Sequence, residues 1–425
     1  MDERENPQVT DTSFLQMPWT IEHQLEAYAR DPRHTDRHET LFWSWKQLSR
    51  WLSNLLSFTI SSFPTYSNHD ETHCRSVLHN IECLLGEAEI RRLSPTDCFG
   101  ILIAVYLHDI GMSVGDDEKF EIVKSDAFYY SIEELENSSD PELKNAAQIL
   151  KETSYQIENG GSPDEIRDNF KKLYGKKFNI YRAMALLLGE HCRGIHARKS
   201  RDRVYEWVKD SDQTQSGFSM TGIPLRIFLQ LAECARLHNE YTSFKDIAGT
   251  LLECDNGFAS DKYHPRFIAV LLMLGDTLDV DNNRFNPFVK MITGKSFTNR
   301  SEVHYQKHRA IRALQITPKV ISIRADCAHT DELRQLRSEF DWLETFLQDC
   351  NYHWAEIAPE NFCGCLPSLS FDRILLEGQE IPSDLVSSKF LISQRKAFRL
   401  LQGANLYRDR FVFLRELLQN ASDST

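Results

Sequence analysis

The segment YSNHDETHCRSVL sets His69 and His73 one helical turn apart, with His73 four residues before Val77. A helix starting near Asp70 would carry His73 in its first turn, from where an imidazole can point across a bundle. In YLHDIGM, His108 and Asp109 end a strongly apolar stretch. Neighbouring side chains on a helix point apart, so these two can meet at one cation only at a helix end or a local irregularity, and Gly111 supplies backbone freedom for one. Asp276 lies within the apolar run LLMLGDTLDVDNNRF, where a carboxylate buried without a cationic partner is costly. A divalent metal answers that need. Imidazole and carboxylate donors without thiolate suit Mn²⁺, Fe²⁺, Co²⁺, Ni²⁺ or Zn²⁺, and suit Mg²⁺ less. Taken singly, each of these residues reads more simply as a hydrogen-bonded core histidine or a salt-bridged aspartate; the ordered set carries the metal reading.

The elements needed to position such a set are almost all helical. Residues Thr20 to Tyr66 contain LFWSWKQLSRWLSNLLSFTI, whose apolar positions recur every three and four residues, which predicts amphipathic helices. Val77, Leu78, Ile81, Leu84 and Leu85 mark one face of a helix that Gly86 is placed to end. Ser94-Pro95 then opens a helix running through Ile101, Leu102 and Val105 to His108, with Asp97 near its positive end. Residues 116–172 are highly charged and contain Gly160-Gly161 and Ser162-Pro163, which reads as an exposed helical insertion with loops. Core helices resume near Asn179, with apolar segments at Ala183 to Leu188, Ile227 to Ala235 and Phe267 to Leu278. Near Leu314 the pattern changes to alternation. ALQITPKVISIRADC predicts a β-hairpin turning at Thr317-Pro318, LRQLRSEFDWLETFLQ a helix, and LSFDRILLEG a further strand. The expected fold is mainly α, with a small α+β segment.

Composition narrows the function. With Lys+Arg 49 against Asp+Glu 62, the net charge is −13, which disfavours broad electrostatic attraction to nucleic acid or an anionic membrane. The longest apolar stretches, such as Phe267 to Leu274, fall well short of the ~20 residues that a membrane-spanning helix requires. The polar, acidic start MDERENPQVTDTS has no secretory pattern, so a soluble, cytoplasmic chain without a membrane partner is expected. The 10 cysteines include no CxxC pair and are expected to be reduced and mostly buried. GxxxxGK[ST] and GxGxxG are absent from the sequence.

The ordered pattern H…HD…D across a helical region resembles the HD superfamily of metal-dependent phosphohydrolases, over roughly Phe63 to Phe285. The resemblance implies an HD-type helical bundle and puts the family's four ligands on His73, His108, Asp109 and Asp276. Many HD proteins hold a second metal through two further histidines. By the same resemblance these fall on His196 in IHARKS and His238 in ARLHNE, with His191 in reserve. FPTYSNHDETHCRSVLHNIECLL, LSPTDCFGILIAVYLHDIGM and LLMLGDTLDVDNNRF resemble the HD branch associated with prokaryotic conflict systems. Met112 departs from the common HDIGK motif, standing where a lysine often holds a substrate phosphate. Arg193, Arg198, Lys199, Arg201 and Arg203 are the nearby cations able to replace it.

The segment LLQGANLYRDRFVFLRELLQNASDST resembles the first nucleotide-binding helix of Hsp90-like GHKL ATPases, whose pattern is FLRELISNASD. Glu416, Asn420 and Asp423 match it at spacings of four and three. The resemblance implies that these three belong to an ATP/Mg²⁺ cleft that only a longer chain would complete, since the sequence stops at Thr425. The expected organisation is a helical lead-in (residues 1–62), an HD-type metal domain (63–290) with a charged insertion near 116–172, an α+β segment (291–385) and the start of the ATPase domain (386–425). The resemblances imply a phosphohydrolase that acts on a nucleotide, cyclic nucleotide or nucleic-acid phosphoester through one or two divalent metals. His108 and Asp109 stand at its chemical centre. Regulation by the ATPase module and a role in anti-phage defence are implied with it, and homo-oligomerisation is left open. The alternative is a non-catalytic HD ligand-binding or sensor module of a chaperone-type switch.

Overall fold

The computed structural model describes residues 19–32, 36–63, 70–158, 170–209, 222–238, 242–258, 261–280, 299–376 and 378–380. The described residues up to Gly378 form one compact unit. Glu416, Asn420 and Asp423 lie outside the described residues, as does His69.

Two helices lead in, α1 (Ile21–Arg30) and α2 (Asp36–Ser62). Thr20 caps α1 by accepting the His23 N–H. Helix α3 (Glu71–Ile90) is capped by Asp70, whose carboxylate accepts from the backbone N–H groups of Thr72 and His73. Gly86 interrupts α3 at φ 69°, a left-handed conformation, and the helix resumes for one more turn to Ile90. The break lets the chain pass Pro318, whose Cγ lies 2.8 Å from where a Cβ on Gly86 would sit.

Helix α4 (Pro95–Leu107) starts as the sequence predicts, with the Ser94 hydroxyl accepting the Asp97 N–H and Pro95 in the first turn. All of its residues are buried. A helix apolar on every side has to be enclosed, and α4 is packed against α1, α2, α3, α9 (Leu225–Leu237) and α11 (Pro265–Thr277). It ends at His108, followed by a short 3₁₀ turn, Ile110–Met112.

Helices α5 (Asp116–Val123), α6 (Asp126–Glu136) and α7 (Pro141–Glu158) occupy the charged stretch, followed by the long α8 (Phe170–Lys209). Their charges face outward. Their apolar residues build a second core, in which Phe128, Leu143, Ala147 and Leu150 meet Leu187, Leu188 and Cys192 of α8. Helix α10 (Phe244–Thr250) and a two-stranded ribbon, β1 (Asp255–Asn256) with β2 (Lys262–Tyr263), precede α11.

Helix α12 (Asn299–Ala310) then leads into the hairpin of β3 (Ile311–Ile316) and β4 (Val320–Cys327), whose turn is closed by Thr317 N–H donating to Val320 O at 3.0 Å. Helix α13 (Thr330–Tyr352) and the short α14 (Trp354–Ile357) follow. They allow β5 (Ser368–Leu376) to pair in parallel with β4. The fold is therefore mainly helical with a small sheet segment. All ten cysteines are free, and no single helix among the described residues is long and apolar enough to cross a membrane.

One buried acid in this frame has a consequence for pH. Glu82 of α3 is buried and accepts the Ile21 N–H at 2.9 Å. Burial pushes its carboxyl up from 4.5 to about 7. The folded chain therefore holds a proton that the unfolded chain releases across that window, and stability falls as pH rises from about 4.5 to 7. Glu82→Gln keeps the acceptor and removes the charge. It is expected to raise the thermal midpoint at pH 8, by an amount equivalent to about 2 kcal/mol, and to leave it unchanged at pH 4. Thermal denaturation at the two pH values checks both.

Candidate metal centre

His73, His108, Asp109, His196, His238 and Asp276 come from five places in the chain and meet in one cluster. His73 is in the first turn of α3, His108 and Asp109 follow the end of α4, His196 lies in α8, His238 caps the end of α9, and Asp276 is in the last turn of α11. Four of the five places lie at or near a helix end, where the side chain can leave the packed stripe and turn toward the shared centre, whereas His196 projects from the interior of α8. His191 lies apart, against the Phe128 ring and 3.3 Å from Ser131 Oγ.

The six side chains divide into two halves about Asp109. In the first, His73 Nε2 is 3.1 Å from His108 Nε2 and 3.3 Å from Asp276 Oδ1. Asp109 Oδ2 lies 3.4 Å from His73 Nε2 and 3.1 Å from His108 Nε2. In the second, His196 Nε2 and His238 Nε2 are 3.0 Å apart, and Asp109 Oδ1 lies 3.5 Å from the former and 3.8 Å from the latter. One carboxylate thus turns one oxygen toward each histidine pair. His108 and Asp109 also form a close group with His238, and the His108 and His238 rings meet edge to face at 4.9 Å.

The hydrogen bonds at the far side of each ring decide what the near side can do. His108 Nδ1 lies 2.6 Å from Val105 O, His196 Nδ1 lies 2.6 Å from Arg193 O, and His238 Nδ1 contacts Ala235 O. A carbonyl only accepts, so each Nδ1 carries the proton and each Nε2 presents a lone pair. His73 reaches the same state through a carboxylate, its Nδ1 being 2.6 Å from Asp279 Oδ2. Burial pushes His238 down to about 3, which keeps its imidazole neutral at physiological pH. Two Nε2 lone pairs facing each other at 3.0 or 3.1 Å repel unless a proton or a cation lies between them. Metal–nitrogen bonds of about 2.1 Å separate adjacent ligand atoms by roughly 3.0 Å in an octahedral site and 3.4 Å in a tetrahedral one. The cluster's spacings fall around that range, and its donors suit a first-row divalent ion.

The turn bearing His108 and Asp109 is held by α8. Ser200 Oγ accepts the Gly111 N–H at 2.9 Å and donates to His108 O at 2.7 Å. A Cβ on Gly111 would lie 2.1 Å from His196 O, and Gly111 is not among the positive-φ glycines. The glycine therefore does not serve as the source of backbone freedom that its position suggests. It permits contact between this turn and the backbone that carries His196. A similar closeness joins α3 and α11, where a Cβ on Gly275 would meet Ile81 Cγ1 at 2.7 Å and Val77 O at 2.9 Å, and Asn80 Nδ2 donates to Gly275 O at 3.0 Å.

Met112 does not face the cluster's polar groups; it is buried in the second apolar core. Lys199 and Arg203 both pair with Glu118 of α5, at 2.5 and 2.6 Å, and Arg201 pairs with Asp202 at 2.6 Å. Arg198 is exposed. Arg193, three residues before His196, has a looser ion pair, 4.0 Å from Glu190.

A protein-family model, HD-CE, matches residues 63–349, a span that contains all six cluster residues. The chain belongs to the HD-CE family. No curated protein and no solved structure matches the chain. Two contributors were not singled out in the sequence. Asp279 stands three residues after Asp276, a spacing that could have marked it, whereas Ser200 in ARKSRDR carries no recognisable signal.

Gly111→Ala tests the close approach to α8. The methyl group would force the His196 backbone away from the turn, with an expected loss of about 2–3 kcal/mol of stability and weaker cation binding by the His196/His238 half. Thermal denaturation and metal titration read the two effects. A variant with wild-type stability and stoichiometry would contradict this packing account.

Proposed function

We propose that this chain is a metal-dependent phosphohydrolase acting on a nucleotide, a cyclic nucleotide or a nucleic-acid phosphoester. The observation that carries the proposal is the division of the Asp109 carboxylate between two histidine pairs, which suits a pair of cations sharing one bridging ligand. A divalent cation bound there supplies Lewis acidity toward a phosphoryl oxygen and lowers the pKa of a coordinated water. The chain's own residues fix the geometry. His73, His108, Asp109 and His238 are almost wholly enclosed, whereas the side chains of Asp276 and His196 are 22% and 16% exposed. Access from solvent is therefore greatest beside these two, one in each half, and a phosphoryl group arriving there would lie within reach of both. Arg193, with only a 4.0 Å ion pair, is the cation best able to reorient toward its charge. Regulation by an Hsp90-like ATPase, and anti-phage defence as the setting, belong to the proposal through the resemblances of the conflict-system HD motifs and of residues 400–425.

A second reading has an observation of its own. Met112 is buried in an apolar core, while Lys199 and Arg203 are both tied to Glu118. The phosphate-holding lysine of the commonest HD motif therefore has no evident replacement on this turn. A module that binds a ligand and switches without turnover fits that arrangement.

Purified chain loaded with Mn²⁺, Ni²⁺ or Mg²⁺ and offered nucleoside triphosphates, cyclic dinucleotides and single-stranded DNA separates the two readings. The hydrolase reading expects product release, faster with Mn²⁺ than with Mg²⁺, and at least about 100-fold lower in Asp109→Ala. Metal-loaded protein that binds a panel nucleotide but cleaves none supports the switch. Cleavage that survives Asp109→Ala refutes the assigned centre.

A further inference from the structure

The two halves of the centre differ in how their histidines are held. His108, His196 and His238 each direct Nδ1 at the carbonyl three residues earlier in their own helix. These are local, neutral contacts within a single helical turn. Among the described residues, His73 alone of the four is held at Nδ1 by an anion: Asp279, 206 positions away in sequence, places Oδ2 2.6 Å from His73 Nδ1, and the pair is buried. A carboxylate behind an imidazole increases electron donation from the opposite nitrogen and fixes the ring's orientation. The effect would fall on the His73/His108/Asp276 half.

The path from Asp279 to His73 is also rigid. Asp279 follows the end of α11, its N–H donating to Asp276 O at 3.0 Å. Helix α11 is locked to α3 by the Gly275 contact and by Asn80. The same element therefore supplies a direct candidate ligand, Asp276, and the group that orients another ligand on the facing helix. Among the described residues, nothing comparable backs His196 or His238.

We infer that Asp279 is a positioning residue that makes the His73/His108/Asp276 half the tighter of two cation subsites, so that the halves fill in order. The inference rests on the reading of the cluster as a metal centre. It requires no particular substrate and no turnover.

The test is titration of chelator-treated full chain with Co²⁺, followed by calorimetry and by the visible absorption of the bound ion. Wild-type protein is expected to show two binding events, the weaker one absent in His196→Ala. Asp279→Asn, which keeps the size and an acceptor oxygen while removing the charge, should weaken the tighter event by about tenfold or more. It should also shift that event's absorption band and leave the weaker event unchanged. Asp279→Glu should recover part of the affinity. Equal weakening of both events would assign Asp279 a merely structural role and overturn the inference, as would unchanged binding in Asp279→Asn. Should Asp279→Asn fail to fold, the two ligand variants decide: a tighter event removed by His196→Ala rather than by Asp276→Asn overturns the filling order. Absence of Co²⁺ binding to wild-type protein overturns the metal centre itself, a result distinct from metal that binds without regard to Asp279.

Discussion

Asp109 is a buried carboxylate placed among four imidazoles, with one oxygen directed to each pair. Everything around it can be understood as a way of making that position tolerable. Three of the rings give their Nδ1 protons to backbone carbonyls and the fourth to Asp279, so their Nε2 lone pairs converge on the carboxylate. Lone pairs and a carboxylate in one enclosed space repel one another, and only positive charge relieves the repulsion. The helices must therefore be held together by apolar packing strong enough to assemble such a centre. The wholly buried α4 and the close contacts at Gly111 and Gly275 are the means.

Much of this was legible in the sequence because its strongest signals are local. The cap at Ser94-Pro95, the helical apolar pattern to His108 and the alternation on either side of Thr317-Pro318 each depend on neighbours within a turn or a hairpin, and each forms as expected. The fold class follows from them. His73, His108, Asp109 and Asp276 stood out as an ordered set of types, whereas His196 and His238 came from the family resemblance alone.

What the sequence did not reveal depends on contacts between distant elements. Gly111 reads as a flexible residue, yet its small size matters through the backbone of α8, some ninety positions away. The charge of residues 116–172 suggests an exposed appendage, but charge describes only the outer faces of α5, α6 and α7. Their inner residues acquire meaning from Leu187, Leu188 and Cys192 of α8. Met112 illustrates the same limit: its motif position suggests phosphate binding, and its surroundings make it a core residue. Asp279 and Ser200 act on His73 and His108 through single hydrogen bonds across the bundle, which no periodicity encodes.

The central claim is that Asp109 bridges two cations. Anomalous X-ray diffraction from crystals grown with Mn²⁺, with data collected on either side of the metal's absorption edge, measures it directly. The account predicts two anomalous peaks about 3.5–4 Å apart, one between His73, His108 and Asp276 and the other between His196 and His238, with Asp109 in contact with both. A single peak remote from Asp109, or none in crystals whose protein remains folded, would contradict it.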